Sequence, residues 1–294
     1  MSENSPILSV IVPTYNSLGT LRLCIEALLK QQLPYGEFEV IIVDDGSTDG
    51  TKNFIDSLVL PKEFSLKYVF QENAGPAKAR NTGIKKAIGR IIAFTDADCI
   101  PDPDWLNVIK KSIVDGGLNF LSGKTYTNDF LVFPWKVAPV DQVGVTANLA
   151  FDRYHTKETM YFDETFMFPI GEDLDFVLRC EKVGYKITVV ENMRVCHPPH
   201  VFNVRGLMRR AKYRSGEVIL DKKFGTASSS SHRILAPIYP FGGSPAGFFA
   251  ILVLLTLLVN LKAFVIFFFL LCLGIVLAVK YLVSPIYRVF DRRA

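Results

Sequence analysis

Short apolar runs alternate with amphipathic stretches along the first part of the chain. Four runs have the continuous hydrophobicity of strands that are buried on both faces, at 7–12, 40–43, 66–70 and 91–95. Helical periodicity fills the intervals between them, at 18–31, 51–58 and 77–88. This alternation predicts an α/β fold with a mostly parallel, Rossmann-like sheet and helices on both faces.

The pattern becomes less regular after the fourth run. Residues 118–170 carry aromatic residues and prolines, and we expect them to form a mixed extension over the sheet. A helix is predicted at 172–183, one more strand at 186–190, and a basic, loosely amphipathic helix at 201–220. We therefore assign residues 1–223 to a single α/β domain.

The composition changes again after residue 223. A linker or interfacial segment at 224–245 is rich in Ser, Pro and Gly, and residues 246–283 are almost uninterruptedly apolar. This run of about 38 residues is too long for one helix across ~30 Å of hydrocarbon. Because Asn260 and Lys262 interrupt it, we expect a transmembrane hairpin with helices at about 246–260 and 263–283. A buried core hairpin is the alternative, but the run has no polar face.

Charge and cysteine usage favour a cytoplasmic position for the α/β domain. The five cysteines include no CxxC spacing, which argues against a disulfide framework or a cysteine zinc site and favours a reducing compartment. The N-terminus lacks the features of a signal peptide. Basic residues flank both outer ends of the apolar run, so the tail at 284–294 is expected on the cytoplasmic side of the cell membrane, with a multi-pass topology. The net charge of +4 does not call for a nucleic-acid partner.

Polar and acidic residues directly follow three of the predicted strands. The segments are Pro13-Thr14-Tyr15-Asn16, Asp44-Asp45-Gly46-Ser47 and Asp96-Ala97-Asp98. Ligands of parallel α/β sheets collect at the carboxyl ends of the strands, so these segments are expected to share one rim. Asp96 and Asp98 are spaced to share one hard cation, Mg²⁺ or Mn²⁺, that also binds a diphosphate. Alternatively, the pair simply ends a strand or caps a helix.

Three further residues have both a functional and a structural interpretation. Asp45 either accepts a hydrogen bond from a base N–H or belongs to a glycine turn with helix-capping residues. Tyr15 either stacks on a nucleobase or packs within the protein. Arg80 either contacts base or phosphate or lies on a solvated helix face.

Taken together, the motifs resemble those of the inverting family-two glycosyltransferases with a GT-A fold. VIVPTYN, VDDGSTDGT, NAGPAKARNTG and AFTDADC occur in that family's order, followed by GEDLDF, over roughly the first 215 residues. The resemblance implies a nucleotide-sugar donor, specifically a UDP- or GDP-sugar, together with a divalent cation and inversion at the anomeric carbon. It assigns nucleotide binding to Pro13, Tyr15, Asp45, Arg80 and Asp96. It makes Asp98 the principal metal ligand, with Asp96 beside it. His197 follows a late strand, at a place where many relatives carry a histidine near the metal or the diphosphate. Alternatively, His197 is a structural histidine.

The acidic cluster in GEDLDF matches the acceptor side of the family. Inversion in one displacement needs a carboxylate that takes the acceptor's proton, and we assign this role to Asp173, with Glu172 and Asp175 as rivals. Alternatively, the cluster is the ordinary enrichment of acids in a helix's first turn. Arg209, Arg210 and Arg214 either bind the diphosphate or an anionic acceptor, or rest on acidic lipid headgroups.

The chain departs from the processive synthases of the family. It lacks their Gln-x-x-Arg-Trp motif and their additional membrane helices, which favours transfer of a single sugar. The apolar hairpin suggests a lipid-linked acceptor, a polyprenyl-phosphate or a growing lipid-linked glycan. Two alternatives remain: a polyprenyl-phosphate sugar synthase, and a catalytically silent nucleotide-sugar-binding scaffold attached to the membrane.

Overall fold

The computed structural model of the protein divides into two compact units, Met1–Leu235 and Ala236–Ala294. The first unit contains nearly all of the residues whose structure is described. The described residues are 5–127, 136–137, 145–155, 160–169, 171–198, 200–201, 215–224 and 268–274. The predicted domain bounds, 1–223 and 246–283, stay predictions.

One half of the central eight-stranded sheet is entirely parallel. Its strands, in spatial order, are β3 (Ser65–Phe70), β2 (Phe38–Asp44), β1 (Leu8–Thr14) and β4 (Ile91–Phe94). These are the four apolar runs of the sequence, and each strand except β3 is buried almost throughout. The predicted α/β fold with a mostly parallel sheet is therefore confirmed.

The other half of the sheet is mixed and was predicted less well. Beyond β4 lie β8 (Leu149–Asp152), β6 (Phe120–Tyr126), β9 (Ile187–Cys196) and β5 (Ile100–Pro101). β8 runs antiparallel to both β4 and β6, and β6 runs parallel to β9. The expectation that residues 118–170 form an extension over the sheet is wrong, because β6 and β8 are part of the sheet itself. A separate pair joins β7 (Lys136–Val137) to β10 (His200–Val201).

Six helices of the first unit are described. They are α1 (Leu18–Leu29), α2 (Thr51–Asp56), α3 (Pro76–Lys86), α4 (Trp105–Lys110), α5 (Glu172–Lys182) and α6 (Ser215–Phe224). The sequence pattern had not predicted α4, which continues into a π-helical turn at Lys111–Asp115. Of the basic helix predicted at 201–220, residues 202–214 lie outside the described residues.

The strands of the parallel half bury alternate side chains against two separate cores. On one face Val10 and Val12 pack with Leu21 of α1 and Trp105 of α4. On the other face lies an aromatic cluster that includes Phe94 and Phe176 of α5. On this face α3 sits very close to β1, since a Cβ added at Gly83 would lie 2.4 Å from Ile11 Cγ2. This close packing brings the buried face of α3 to the carboxyl ends of the strands.

Most of the predicted membrane hairpin lies outside the described residues. Residues 268–274 are helical. Across the described ranges, no helix is both long and apolar enough to cross a membrane.

Candidate active site

The carboxyl ends of β1, β2 and β4 meet at one edge of the sheet. Pro13 is partly buried inside β1, and Tyr15, just beyond its end, is exposed. Asp45 follows β2 and is buried, whereas Asp96 and Asp98 follow β4 and are partly accessible. The three segments that the sequence placed on one rim therefore do lie at the same edge.

Asp45 is surrounded by hydrogen-bond donors from its own chain. Its Oδ1 accepts from Gln71 Nε2 at 2.7 Å and from the backbone N–H of Ala74 at 2.9 Å. Its Oδ2 accepts from the backbone N–H of Gly75 at 2.9 Å and from Asn73 Nδ2 at 3.2 Å. Since these four donors occupy the carboxylate, Asp45 holds the turn before α3 in place. The predicted hydrogen bond between Asp45 and a nucleobase would require one of these four donors to be displaced.

That turn also contacts the segment that leads into α5. Gly75 has a φ of 92°, in the left-handed region that favours glycine. A Cβ at Gly75 would lie 2.6 Å from the backbone oxygen of Met167. The turn at 73–75 and the segment around Met167 are thus in backbone contact.

Arg80 of α3 is the centre of a buried ion-pair cluster. Its side chain is 5% exposed, and its guanidinium lies 3.0 Å from Asp96 Oδ1, 3.0 Å from Glu172 Oε1 and 3.7 Å from Asp173 Oδ1. Burial alone would lower the pKa of Arg80, but Asp96, Asp173 and Glu172 raise it, so the guanidinium stays charged. The alternative of a solvated helix face is therefore wrong. Arg80 instead joins the DxD segment to the acidic start of α5.

Glu172 and Asp173 differ in accessibility although they are neighbours. Glu172 is 3% exposed, and burial together with the charge of Asp173 raises its pKa to about 8, against the opposing effect of Arg80. The Asp173 side chain is 25% exposed. Its Oδ1 accepts from Thr146 Oγ1 at 2.9 Å, and its Oδ2 accepts from the Thr146 backbone N–H at 3.3 Å. Glu172 is buried against Arg80, whereas the Asp173 carboxylate is accessible, so the geometry favours Asp173 over Glu172 as the base.

Asp175 does not join this group. It is fully buried, and it binds Arg179 Nε at 2.8 Å and Lys223 Nζ of α6 at 2.9 Å. Lys223 also binds Asp163. The prediction of Asp175 as a rival base is wrong, because a buried carboxylate that is bound by two cations cannot reach an acceptor. Its role is to anchor α5 against α6.

A possible cation site lies beside the cluster. Ligand atoms of Asp98, Cys99 and His197 all lie within 4.8 Å of one another. Burial, together with the charges of Asp98 and Asp96, raises the pKa of the Cys99 thiol well above its ordinary value. Nδ1 of His197 donates to the Pro198 carbonyl at 3.0 Å, so in the neutral ring the Nε2 lone pair lies 3.6 Å from Asp98 Oδ1. Two acceptors at this distance fit a cation between them.

The charge balance of the cluster also fits a cation. The carboxylates of Asp96, Glu172 and Asp173 lie within 3.7 Å of the Arg80 guanidinium, and Asp98 lies close enough to repel Asp96. Burial raises the pKa of Asp96, Arg80 opposes this, and repulsion from Asp98 and Asp173 adds to it. A divalent cation bound beside Asp98 would offset the repulsion among these carboxylates.

Sequence reasoning missed several residues that shape the site. Thr146, Gln71 and Asn73 hold the carboxylates described above, and nothing in their local sequence indicates these partners. Arg209, Arg210 and Arg214 lie outside the described residues, so their predicted contacts with diphosphate, acceptor or headgroups stay predictions.

The fold and this rim define a GT-A-like α/β transferase. The family model described as "Glycosyl transferase family 2" matches residues 9–169, more than half of the chain. The chain therefore belongs to glycosyltransferase family 2, a family of transferase enzymes. A second model, "Glycosyl transferase family group 2", matches residues 92–280. The resemblance inferred from the motifs is confirmed at this level.

Individual relatives agree with the family assignment. Glycosyltransferase AglE of Haloferax volcanii is 29% identical over 236 residues, which cover 74% of each chain. The crystal structure of S. aureus TarS 1–349 in complex with UDP has a TM-score of 0.54 at 25% identity, over 65% of this chain and 60% of that one. Mannosyltransferase PcManGT from Pyrobaculum calidifontis, in complex with GDP-Man and Mn²⁺, shares the fold with a TM-score of 0.57 at 22% identity, over 97% and 84% of the two chains. The chain spans only 17–19% of the length of three other curated relatives.

Proposed function

We propose that the chain is a metal-dependent, inverting glycosyltransferase that moves one sugar from a UDP- or GDP-sugar to an acceptor hydroxyl. The observation that carries the proposal is the buried cluster in which Arg80 joins Asp96 to Glu172, with Asp173 beside it. A single displacement needs the leaving diphosphate and the attacking hydroxyl on opposite sides of the sugar. In this proposal Asp96 and Asp98 serve the diphosphate side, and Asp173 serves the acceptor side.

On the donor side, Asp98 and His197 would hold the cation, with Asp96 next to it. A carboxylate oxygen and an imidazole nitrogen suit Mn²⁺ better than Mg²⁺, which prefers oxygen ligands and water. When bound, the cation would neutralise charge on the diphosphate. Tyr15 is exposed at the end of β1, where a base could stack on its ring, and Pro13 lies beside it. The similar structures of TarS in complex with UDP and of PcManGT in complex with GDP-Man and Mn²⁺ support a nucleotide donor.

On the acceptor side, Asp173 would take the proton of the attacking hydroxyl. Its carboxylate is accessible, whereas Glu172 is buried against Arg80. A positioned base would be superfluous for a phosphate acceptor, which is already ionised. The geometry of Asp173 thus favours a hydroxyl acceptor over the polyprenyl-phosphate synthase alternative.

The test uses the purified full chain. Nucleotide sugars are screened for thermal stabilisation with Mn²⁺, and the best donor is then incubated with lipid-extract acceptors. NMR of the product should show an inverted anomeric configuration. Asp173→Asn should lose about 10²–10⁴-fold in turnover while keeping its donor affinity. Asp115→Asn, at an exposed position, is the matched control. Retention of configuration, or normal turnover by Asp173→Asn, would contradict the proposal.

We further propose that the acceptor is lipid-linked and is met at the cytoplasmic face of the cell membrane. The apolar run at 246–283 is the basis for this proposal. Within its described part, four apolar side chains are 50–78% exposed: Phe268, Phe269, Leu270 and Leu273. Such exposure is costly in water and suits contact with lipid.

The topology can be tested by labelling cysteines in sealed cells. One reporter cysteine is placed after Ala294 and another in the α/β domain of a cysteine-free variant. The hairpin predicts that an impermeant reagent reaches neither reporter until the cells are opened. Labelling of the tail alone would contradict the hairpin, and labelling of both would contradict the cytoplasmic position.

A further inference from the structure

Thr146 lies in a buried turn at the edge of the candidate site. The turn, Thr146–Asn148, directly precedes β8. Because β8 runs antiparallel to β4 with Leu149 opposite Phe94, the turn lies at the carboxyl end of β4, where the DxD segment begins. Thr146 itself is fully buried.

The turn is fixed by neighbours other than α5. The side chain of Asn148 accepts from Trp105 Nε1 at 2.9 Å and donates to the backbone oxygens of Met193 at 2.8 Å and Lys124 at 3.0 Å. These contacts tie the turn to α4, β6 and β9. Thr146 therefore has a position that does not depend on Asp173.

Two donors of Thr146 compete with Arg80 for the same carboxylate. The Thr146 hydroxyl is 2.9 Å from Asp173 Oδ1, and the backbone N–H is 3.3 Å from Oδ2. Arg80 Nη1 is 3.7 Å from the same Oδ1, too far for a hydrogen bond. Without the hydroxyl, the charge of Arg80 would draw Asp173 into the buried cluster beside Glu172. The carboxylate would then be turned away from solvent and from any acceptor.

We propose that Thr146 is the positioning residue of Asp173, and that its hydroxyl keeps the carboxylate out of the Arg80 cluster and directed at the acceptor. This inference rests on the proposed function, in which Asp173 takes the acceptor's proton. It assigns Thr146 no contact with substrate.

Two substitutions separate the hydroxyl from the packing of the side chain. Thr146→Val keeps the volume and loses the hydroxyl, whereas Thr146→Ser keeps the hydroxyl and loses a methyl group. Thr125→Val is the matched control, because Thr125 is also buried and its hydroxyl has no partner among the described residues. In the full chain, Thr146→Val should lower kcat by about 10- to 100-fold with unchanged donor affinity. Thr146→Ser and Thr125→Val should stay close to wild type.

A crystal structure of Thr146→Val gives a readout that does not depend on turnover. The distance from Asp173 Oδ1 to Arg80 Nη1 should shorten from 3.7 Å to that of a direct hydrogen bond. An unmoved Asp173, an unchanged kcat in Thr146→Val, or an equal loss in Thr146→Ser would overturn the inference. Asp173→Asn in the same assay separates the two proposals. If it transfers normally, the base assignment fails; if it loses turnover while Thr146→Val does not, only the role of Thr146 fails.

Discussion

The ends of β2 and β4 both carry acidic residues close together in sequence, yet their surroundings are opposite. Asp44 accepts from the Ser47 backbone N–H and the Tyr68 hydroxyl, and Asp45 has four donors from its own chain. Asp96, by contrast, accepts from the Arg80 guanidinium at 3.0 Å and is repelled by the carboxylates of Asp98 and Asp173. The contrast teaches that an acidic pair after a strand is structural when donors surround it and suited to a cation when acceptors do.

The strongest test of this contrast is Asp98→Ala. We expect transfer to fall by roughly 10³-fold or more, because charge on the leaving diphosphate loses its neutralising cation. The rise in melting temperature that Mn²⁺ gives the wild type should disappear in the variant. Assays with Mn²⁺ and with chelator, and thermal melts of both proteins, measure the two effects. Full activity of the variant, or of chelator-treated wild type, would refute the metal assignment; Asp104→Ala, at an exposed position, is the control.

Arg80→Met tests the acidic cluster at the end of β4, because it removes the guanidinium that pairs with the described carboxylates there. Buried Glu172 and partly accessible Asp96 would both lose their hydrogen bonds to Arg80, which should cost about 1–3 kcal/mol of unfolding free energy. Urea unfolding of the full chain measures this loss. Arg22→Met is the control, because Arg22 is exposed and lies over the Phe54 ring. Equal stabilities of the two variants would show that the cluster does not support the fold.

Asp45→Asn tests the β2 side. The substitution replaces an acceptor by an amide that cannot serve all four donors, and it should cost about 1–3 kcal/mol of stability. Asp56→Asn, on an exposed residue paired with Lys52, should change stability little. Chemical unfolding and donor titration are measured together. An Asp45→Asn protein of normal stability that has lost donor affinity would make Asp45 a binding residue rather than a structural one.

His197→Ala is expected to have the smallest effect of these substitutions, a change in the Mn²⁺ requirement. If Nε2 of His197 helps to hold the cation, the Mn²⁺ concentration for half-maximal activity should rise about 10-fold, with turnover recovering at saturating metal. His155→Ala is the control, since His155 is an exposed histidine near Asn119. An unchanged Mn²⁺ requirement would leave His197 a structural residue.

The parallel half of the fold could be predicted because three of its four strands, β1, β2 and β4, are buried on both faces. A continuous apolar run such as 40–43, flanked by segments with helical periodicity, is typical of a buried parallel strand. The mixed half lacks this signal. β9 includes exposed positions, among them Val189, and β6 reaches the sheet through pairings that no local pattern specifies.

The candidate site was predicted in its residue types but not in its contacts. Successive residues of an α-helix are rotated by about 100°, so residues two apart point in nearly opposite directions. Asp173 and Asp175 could therefore not both face the site. Periodicity alone does not say which of the two does. Lys223, nearly fifty residues further on, settles the matter by binding Asp175. Thr146 meets Asp173 in the same way, through tertiary structure alone.

The backbone contact between Gly75 and Met167 has a consequence for protein engineering. The turn at 73–75 lies on the proposed nucleotide side and Met167 on the approach to α5, so the two segments share one steric boundary. Exchanging the segment around Met167 with that of a relative, in order to change the acceptor, would alter the surface on which the nucleotide turn rests. Chimeras should therefore transplant both segments together, and any side chain at position 75 would make the pair incompatible.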